Sequence, residues 1–210
     1  MTFRGLTYRL RALCRDFRRS FYRTRFQLDV ALEGGEAHIA GDAVFEVPVR
    51  FRGKGTVHIE DGVHLGYSAT VPNGRPILLE PREHASEIRI CSSTTLMQGC
   101  ELIARTSIVI GRDCRIGPRS VIYDSDFHGV DPARRDDPGE SEAVVVGDNV
   151  WFGAEVMVLK GVKIGNDSVV AARSLVVDAV PPRVVVGVAP ARVLKTLSSI
   201  EDARGGRKAE

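Results

Sequence analysis

Aromatic residues are scarce in this chain of 210 residues: they account for 6% of it, and Trp151 is the single tryptophan. Without many large rings, the 43% of hydrophobic residues must fill the interior mainly with valine, isoleucine and leucine. Branched aliphatics of that kind suit a narrow β-solenoid better than a layered α/β domain. Cysteine is scarce as well. Cys14, Cys91, Cys100 and Cys114 show neither CxxC nor histidine-interleaved spacing, so neither a disulfide framework nor a zinc site is supported, and a reducing cytoplasm is the expected setting. No apolar run approaches the roughly 20 residues of a membrane span, and the first residues lack the apolar core and cleavage site of a signal peptide. The net charge of +2 supplies no global field that would draw nucleic acid as a partner.

What the chain has instead is a period. Val146, Phe152, Val158, Ile164, Val170 and Val176 recur every six residues, and Val150, Val156, Val162, Ser168, Ser174 and Val180 follow four places after each. A period of six fits neither the roughly 3.6 of a helix nor the 2 of a plain strand, but it fits short strands joined by tight corners and stacked as a solenoid. The same period runs back to Ile39, and its leading residues fall into groups of three, each one triangular coil. About six coils cover residues 29–181. The register slips only between groups, by 2 residues after Phe51 and Leu102, 13 after Val71 and 18 after Ile122. Slips confined to that boundary predict that every insertion leaves the prism at the same corner. Cys100 and Cys114 fall on the small-residue place of the repeat, where they pack as small hydrophobes.

The two ends differ from this middle. Residues 1–28 read as a basic amphipathic helix: Phe3, Leu6, Leu10, Leu13, Phe17 and Phe21 step by three and four, and between Arg4 and Arg25 eight arginines accompany the single acid Asp16. Its apolar face either caps the open end of the solenoid, whose strand edges need cover, or lies on an anionic membrane surface. In residues 182–210, the prolines at 181 and 182 end the strand pattern, VVVGVAPARV is extended, 194–203 is predicted as a terminal helix and 205–210 as a frayed tail.

The chemistry gathers in residues 123–145, which contain YDSDFHGVDPARRDDPGESEA and break the period. Long loops on a rigid scaffold carry function. His128 lies there with Asp124, Asp126 and Asp131 beside it in sequence. An imidazole can take a proton from a hydroxyl, and a carboxylate can fix its tautomer. Trp151, on an outward corner, is either a contact between copies or the wall of a cleft.

The six-residue repeat, the DSDFHGVDP loop and the run GDNVWFGAEVMVLKGVKIGNDSVVAARS, followed by PP and PAR, resemble the hexapeptide-repeat acyltransferases. The likeness is to the branch that acetylates sugars, which includes maltose and galactoside acetyltransferases and capsular or lipopolysaccharide O-acetyltransferases. It implies an all-β left-handed parallel β-helix, a homotrimer, and acetyl-CoA bound between neighbouring prisms, with no resident metal. The acceptor implied is a sugar hydroxyl, in a bacterial surface polysaccharide or its precursor. His128 matches the family's catalytic base, and Asp126 and Asp124 match the acids that precede it, either of which can orient it. Trp151 matches a cleft residue, and Ala154 and Ala172 match positions whose backbone meets the pantetheine arm. This chain has AARS where relatives often have GAGS, and Asp178 where they often have lysine. Arg173, Arg192 and Lys195 are therefore the candidates for the cofactor phosphates. The resemblance leaves two other readings: a non-catalytic trimeric scaffold, and a γ-carbonic-anhydrase-like metal lyase, for which His58 and His64, six apart, would have to stack on one face.

Overall fold

The computed structural model describes residues 3–67 and 75–198, with side chains in the first helix from residue 10 onward. The middle of the chain winds into a three-sided solenoid. Among the described residues its sides are sheets of six, eight and six strands, all paired in parallel except at the final strand of the second sheet. Strands of two to five residues alternate buried and exposed positions, so each coil sends its period-six residues inward. Phe45, Leu65, Leu96, Ile116, Phe152 and Val170 stack in register up the second side, and each is buried. Successive coils sit about 4.8 Å apart, so every inward aliphatic lands on its neighbour and the core is continuous.

The small residues of the repeat fill the corners from inside. Thr94 donates its hydroxyl to the Gly111 carbonyl at 2.7 Å and accepts from the Cys114 amide at 2.9 Å. Cys100 and Cys114 occupy the same kind of place, fully buried. Burial pushes the Cys100 thiol up to about 12 and that of Cys114 to about 11, so neither is a thiolate near neutral pH.

Three expectations need correction. The third side of the second coil is formed by Ile77–Pro81, where the sequence suggested Val71, a residue that lies outside the described ones. Ile77 and Leu79 pair with Val49 and Phe51 in the first coil and are fully buried. That insertion therefore leaves between the second and third sheets, after His64–Leu65, whereas loop 123–145 leaves between Val121–Tyr123 of the third sheet and Val144–Val146 of the first. The insertions do not share a corner. At the other end, residues 194–196 are not helical: Arg192–Thr196 is a strand that folds back antiparallel on Val184–Gly187. The Val184–Gly187 strand would otherwise present an open edge, and covering it satisfies a row of backbone groups that a helix would leave exposed. Leu197 and Ser198 are not helical either, and the rest of the expected helix and the tail lie outside the described residues.

Helix α1 (Phe3–Glu33) runs beyond the expected boundary and lies across the first coil, meeting strands of all three sheets. Phe26 is fully buried, its ring 5.7 Å from that of Phe45 and 6.0 Å from that of Phe51. The helix does cap the solenoid, but not with the face the sequence suggested. Leu10, Leu13, Phe17 and Phe21 are exposed, and Tyr22, Phe26 and Val30 make the cap.

Arginines fasten that cap. Glu46, its side chain 5% exposed, accepts from Arg19 Nε at 2.7 Å and Arg18 Nη2 at 3.0 Å, and Arg23 donates to the Ala40 and Gly41 carbonyls at 2.9 and 3.0 Å. Burial alone would raise the Glu46 carboxyl, but the hydrogen bonds and charges of Arg19 and then Arg18 outweigh it and hold it below its ordinary 4.5. A carboxyl depressed on folding contributes stability above its unfolded pKa and loses it as pH falls through the folded value. Acidifying below about 4 is therefore expected to loosen α1 from the solenoid. Hydrogen exchange of residues 18–30 should rise there, and Glu46→Gln should produce the same rise at neutral pH, at a cost of about 1–3 kcal/mol.

Candidate active site

Loop 123–145 is folded on itself. The Asp126 amide donates to the Glu140 carbonyl at 3.0 Å, Gly129 to Asp137 at 3.0 Å and Glu142 to Asp124 at 2.8 Å, giving the loop a hairpin-like ladder. A 3-10 turn at Pro132–Arg134 forms its tip, capped by Asp131, whose carboxylate accepts from the Ala133 amide at 2.9 Å. Asp131 thus serves the turn. Gly139 passes so close to the opposite arm that a Cβ there would lie 2.6 Å from the His128 carbonyl oxygen and 2.8 Å from Asp126 Cβ. Only glycine lets the two arms approach this closely.

Phe127 adopts a left-handed backbone, φ 66°, which a non-glycine residue takes up at a cost. Its surroundings hold it there. The ring packs edge-on to Tyr123 at 5.3 Å, the Arg82 guanidinium sits 4.4 Å over it, and the Phe127 amide donates to the Ser125 hydroxyl at 3.0 Å. With Phe127 turned in, the chain reverses and His128 stands exposed on a cavity of about 640 Å³ lined also by Tyr123, Asp126, Val130 and Leu159. Backbone strain next to a solvent-facing imidazole is a pattern found at functional sites.

The two acids beside His128 have different employments. Asp124 is fully buried and accepts from the Arg105 amide at 2.7 Å, the Thr106 amide at 2.7 Å and the Thr106 hydroxyl at 2.8 Å. It ties the root of the loop to the turn below and does not reach the imidazole. Asp126 lies on the His128 cavity, but its carboxylate pairs with Lys160 Nζ at 2.8 Å, which also meets Glu140 at 2.8 Å. Hydrogen bonds donated to Asp126 and then to Glu140 raise the Lys160 pKa and keep that ammonium charged. Among the described residues no acid bonds to the His128 side chain. Sequence reasoning missed Arg82, Phe127 and Lys160, which hold the loop; Arg82 and Lys160 come from other turns of the solenoid, and nothing local in the chain marks them.

Trp151, 56% exposed, stands on the second sheet and lines a separate cavity of about 280 Å³ with Tyr67, Thr95, Met97 and Arg115. The two cavities share no residue. Ala154 and Ala172 lie at a corner where the backbone is crowded, since a Cβ on Gly153 would fall 2.5 Å from the Ala172 amide nitrogen. Arg173 beside them is exposed, but its guanidinium pairs with Glu155 at 2.8 Å, and Glu155 also holds Arg119. Arg192 approaches Asp178 at 3.5 Å, so that acid has a cation beside it. Lys195 lies exposed on the same final strand, with no ion pair among the described residues. The His38 and His58 rings stack at 4.7 Å, whereas His64 stands on a different sheet, because residues one coil apart are neighbours and residues one side apart are not. Among the described residues no three or more His, Cys, Asp or Glu side chains are grouped to hold a metal ion.

Residues 143–177 match the family model for bacterial transferase hexapeptide (six repeats). That stretch lies within the solenoid and carries its most regular repeats. The chain is 37% identical over 98 residues to the galactoside O-acetyltransferase of Lactococcus lactis, covering 46% of this chain and 47% of that one. The chain spans about half the length of the curated relatives it matches. Among solved structures it resembles a hexapeptide-repeat acetyltransferase of Vibrio cholerae complexed with acetyl-coenzyme A, with TM-score 0.54 and 28% identity over 84% of this chain and 78% of that one. It also shares the fold of the polysialic acid O-acetyltransferase OatWY, with TM-score 0.62 and 20% identity over 80% of this chain and 92% of that one.

Proposed function

We propose that this chain is an acetyl-CoA-dependent O-acetyltransferase acting on a sugar hydroxyl of a bacterial surface polysaccharide or its precursor, with His128 as general base. The observation that carries the reading is the placement of His128, exposed on a cavity by a strained and braced loop within a hexapeptide solenoid. In this mechanism the imidazole takes the proton of the acceptor hydroxyl as its oxygen attacks the thioester carbonyl. The tetrahedral intermediate then collapses, the C–S bond breaks, and the proton passes from the imidazolium to the leaving thiolate, giving the acetyl ester and free CoA. The acetyltransferase names of the relatives support the reaction class.

The left hand of the coil and the homotrimer come from the family resemblance. They fit the separation of the two cavities, since a neighbouring prism can bring its Trp151 surface against the His128 loop. Asp126, still on that cavity, is the acid left to orient the imidazole once acceptor binding rearranges Lys160. Ala154, Ala172, Arg173, Arg192 and Lys195 form the proposed donor surface, with the cytoplasm as the setting.

Titration calorimetry with CoA tests the donor half of this proposal. Saturable binding is expected, with a dissociation constant between about 1 μM and 1 mM, weakened several-fold in an Arg192→Ala, Lys195→Ala variant. No heat at millimolar CoA would favour a scaffold, the reading suggested by Asp178 and by the occupation of Arg173 with Glu155.

A further inference from the structure

The face of α1 that turns away from the solenoid carries Leu10, Leu13, Phe17, Phe21, Leu28 and Leu32, each between 52% and 76% exposed. At 3.6 residues per turn these fall on one side of the helix as a stripe, interrupted by Thr24 and Arg25 between Phe21 and Leu28, about 180° around the helix from Phe26 and Val30, which pack on the first coil. Because α1 lies across the end of the prism, the stripe points outward along the prism axis. No helix among the described residues is long and apolar enough to cross a membrane, so a stripe of this kind has an interface to cover it or stays in water at a cost.

We propose that this stripe docks the protein on the surface of an anionic phospholipid bilayer, with α1 in the plane of the interface. Charge is the first argument. Arg18, Arg19 and Arg23 are tied to the solenoid, but Arg25, which borders the stripe, and Arg11, a step further round, are exposed and have no ion pair among the described residues. Arginines in these positions extend along the helix and place their guanidinium groups at the headgroups, while the leucine and phenylalanine side chains enter the acyl boundary. Geometry is the second argument. Prisms packed side by side leave a stripe that points along their axis uncovered, and several such stripes would then face one plane. Two copies packed stripe to stripe would add the cations of both helices at one seam, with Asp16, Asp29, already paired with Arg50, and Glu33 the acids of α1 to offset them. A flat, negatively charged, apolar-cored surface matches both features.

Flotation of the full chain with vesicles tests this. The protein is expected to float with vesicles of roughly one part phosphatidylglycerol to two of phosphatidylcholine, and not with phosphatidylcholine alone. Leu13→Glu with Phe17→Glu should lower partitioning by about tenfold or more, and Arg11→Glu with Arg25→Glu by a similar factor. Both pairs are exposed, so the thermal melt should be unchanged. Failure of the wild type to float with anionic vesicles overturns the proposal, as does equal binding to neutral ones. A Leu13→Glu, Phe17→Glu variant that floats like the wild type, or one whose only change is a smaller solution mass, overturns it too, the latter in favour of an interface between copies. Acetyl transfer to a soluble acceptor should be retained in all four substitutions, which separates this result from any failure of the catalytic reading.

Discussion

His128→Ala is expected to lower acetyl transfer by roughly 10²- to 10⁴-fold, the range a positioned general base contributes. The loss should fall on kcat, because the imidazole acts on the proton in transit and not on the binding of either substrate. The fold should not notice. His128 is exposed and its side chain has no hydrogen bond among the described residues, so the change removes no packing and should shift stability by less than about 0.5 kcal/mol. His128→Gln is the sharper variant, since it keeps a polar side chain of similar reach and lacks a usable base. Initial rates with acetyl-CoA and a sugar acceptor, alongside a melting curve, decide the matter. Near-normal turnover in either variant would remove His128 from the mechanism.

Asp124→Ala should act in the opposite way, on stability first. The substitution leaves the amides of Arg105 and Thr106 and the Thr106 hydroxyl without their shared acceptor, in a place where Asp124 itself is fully buried. Arg105 is half-buried and Thr106 exposed, so solvent can satisfy part of what is lost. A fully buried donor left unpaired costs about 1–3 kcal/mol, and the sum here is expected to be about 2–3 kcal/mol. For a chain of this size that is a fall of roughly 4–12 °C in Tm. Asp124→Asn keeps one oxygen but turns an NH2 toward a donor, so about half the loss is expected. If Asp124 oriented the imidazole, Asp124→Asn would instead leave the melt near normal and lower kcat at every temperature. Thermal denaturation and kinetics well below the transition separate the two roles.

The contrast between these acids shows why the site was half legible. In the sequence Asp124 and Asp126 are equivalent, two places apart and both close to His128. Their difference comes from Thr106, eighteen residues back, whose turn lies directly beneath the loop once the coils stack. Lys160 and Arg82 likewise enter from other coils, so no local spacing could announce them. The loop itself was visible because it interrupts a strict period, and the histidine because imidazole in such a loop has few structural duties.

The extensions show the same division. The stripe in α1 was plain from its spacing, but periodicity reports only that a face is apolar, not what it meets. Phe26 and Val30 form the cap because their positions coincide with Phe45 and Phe51 at the open end. Arg192–Thr196 became a strand because the Val184–Gly187 edge needed a partner, a demand that exists only after the solenoid has formed. The choice of Ile77 and Leu79 over Val71 for the second coil followed in the same way from their pairing with Val49 and Phe51.

The sequence by itself determined the solenoid, its inward column of aliphatics, its inert cysteines and the position of the catalytic candidate, because each depends on side chains repeating at short range. Tertiary structure alone decided which acid supports the loop, where the insertions leave and which face of α1 remains open. Those outcomes depend on contacts between coils, where residues about twenty apart become neighbours and a buried polar group must take whatever partner the stack brings to it.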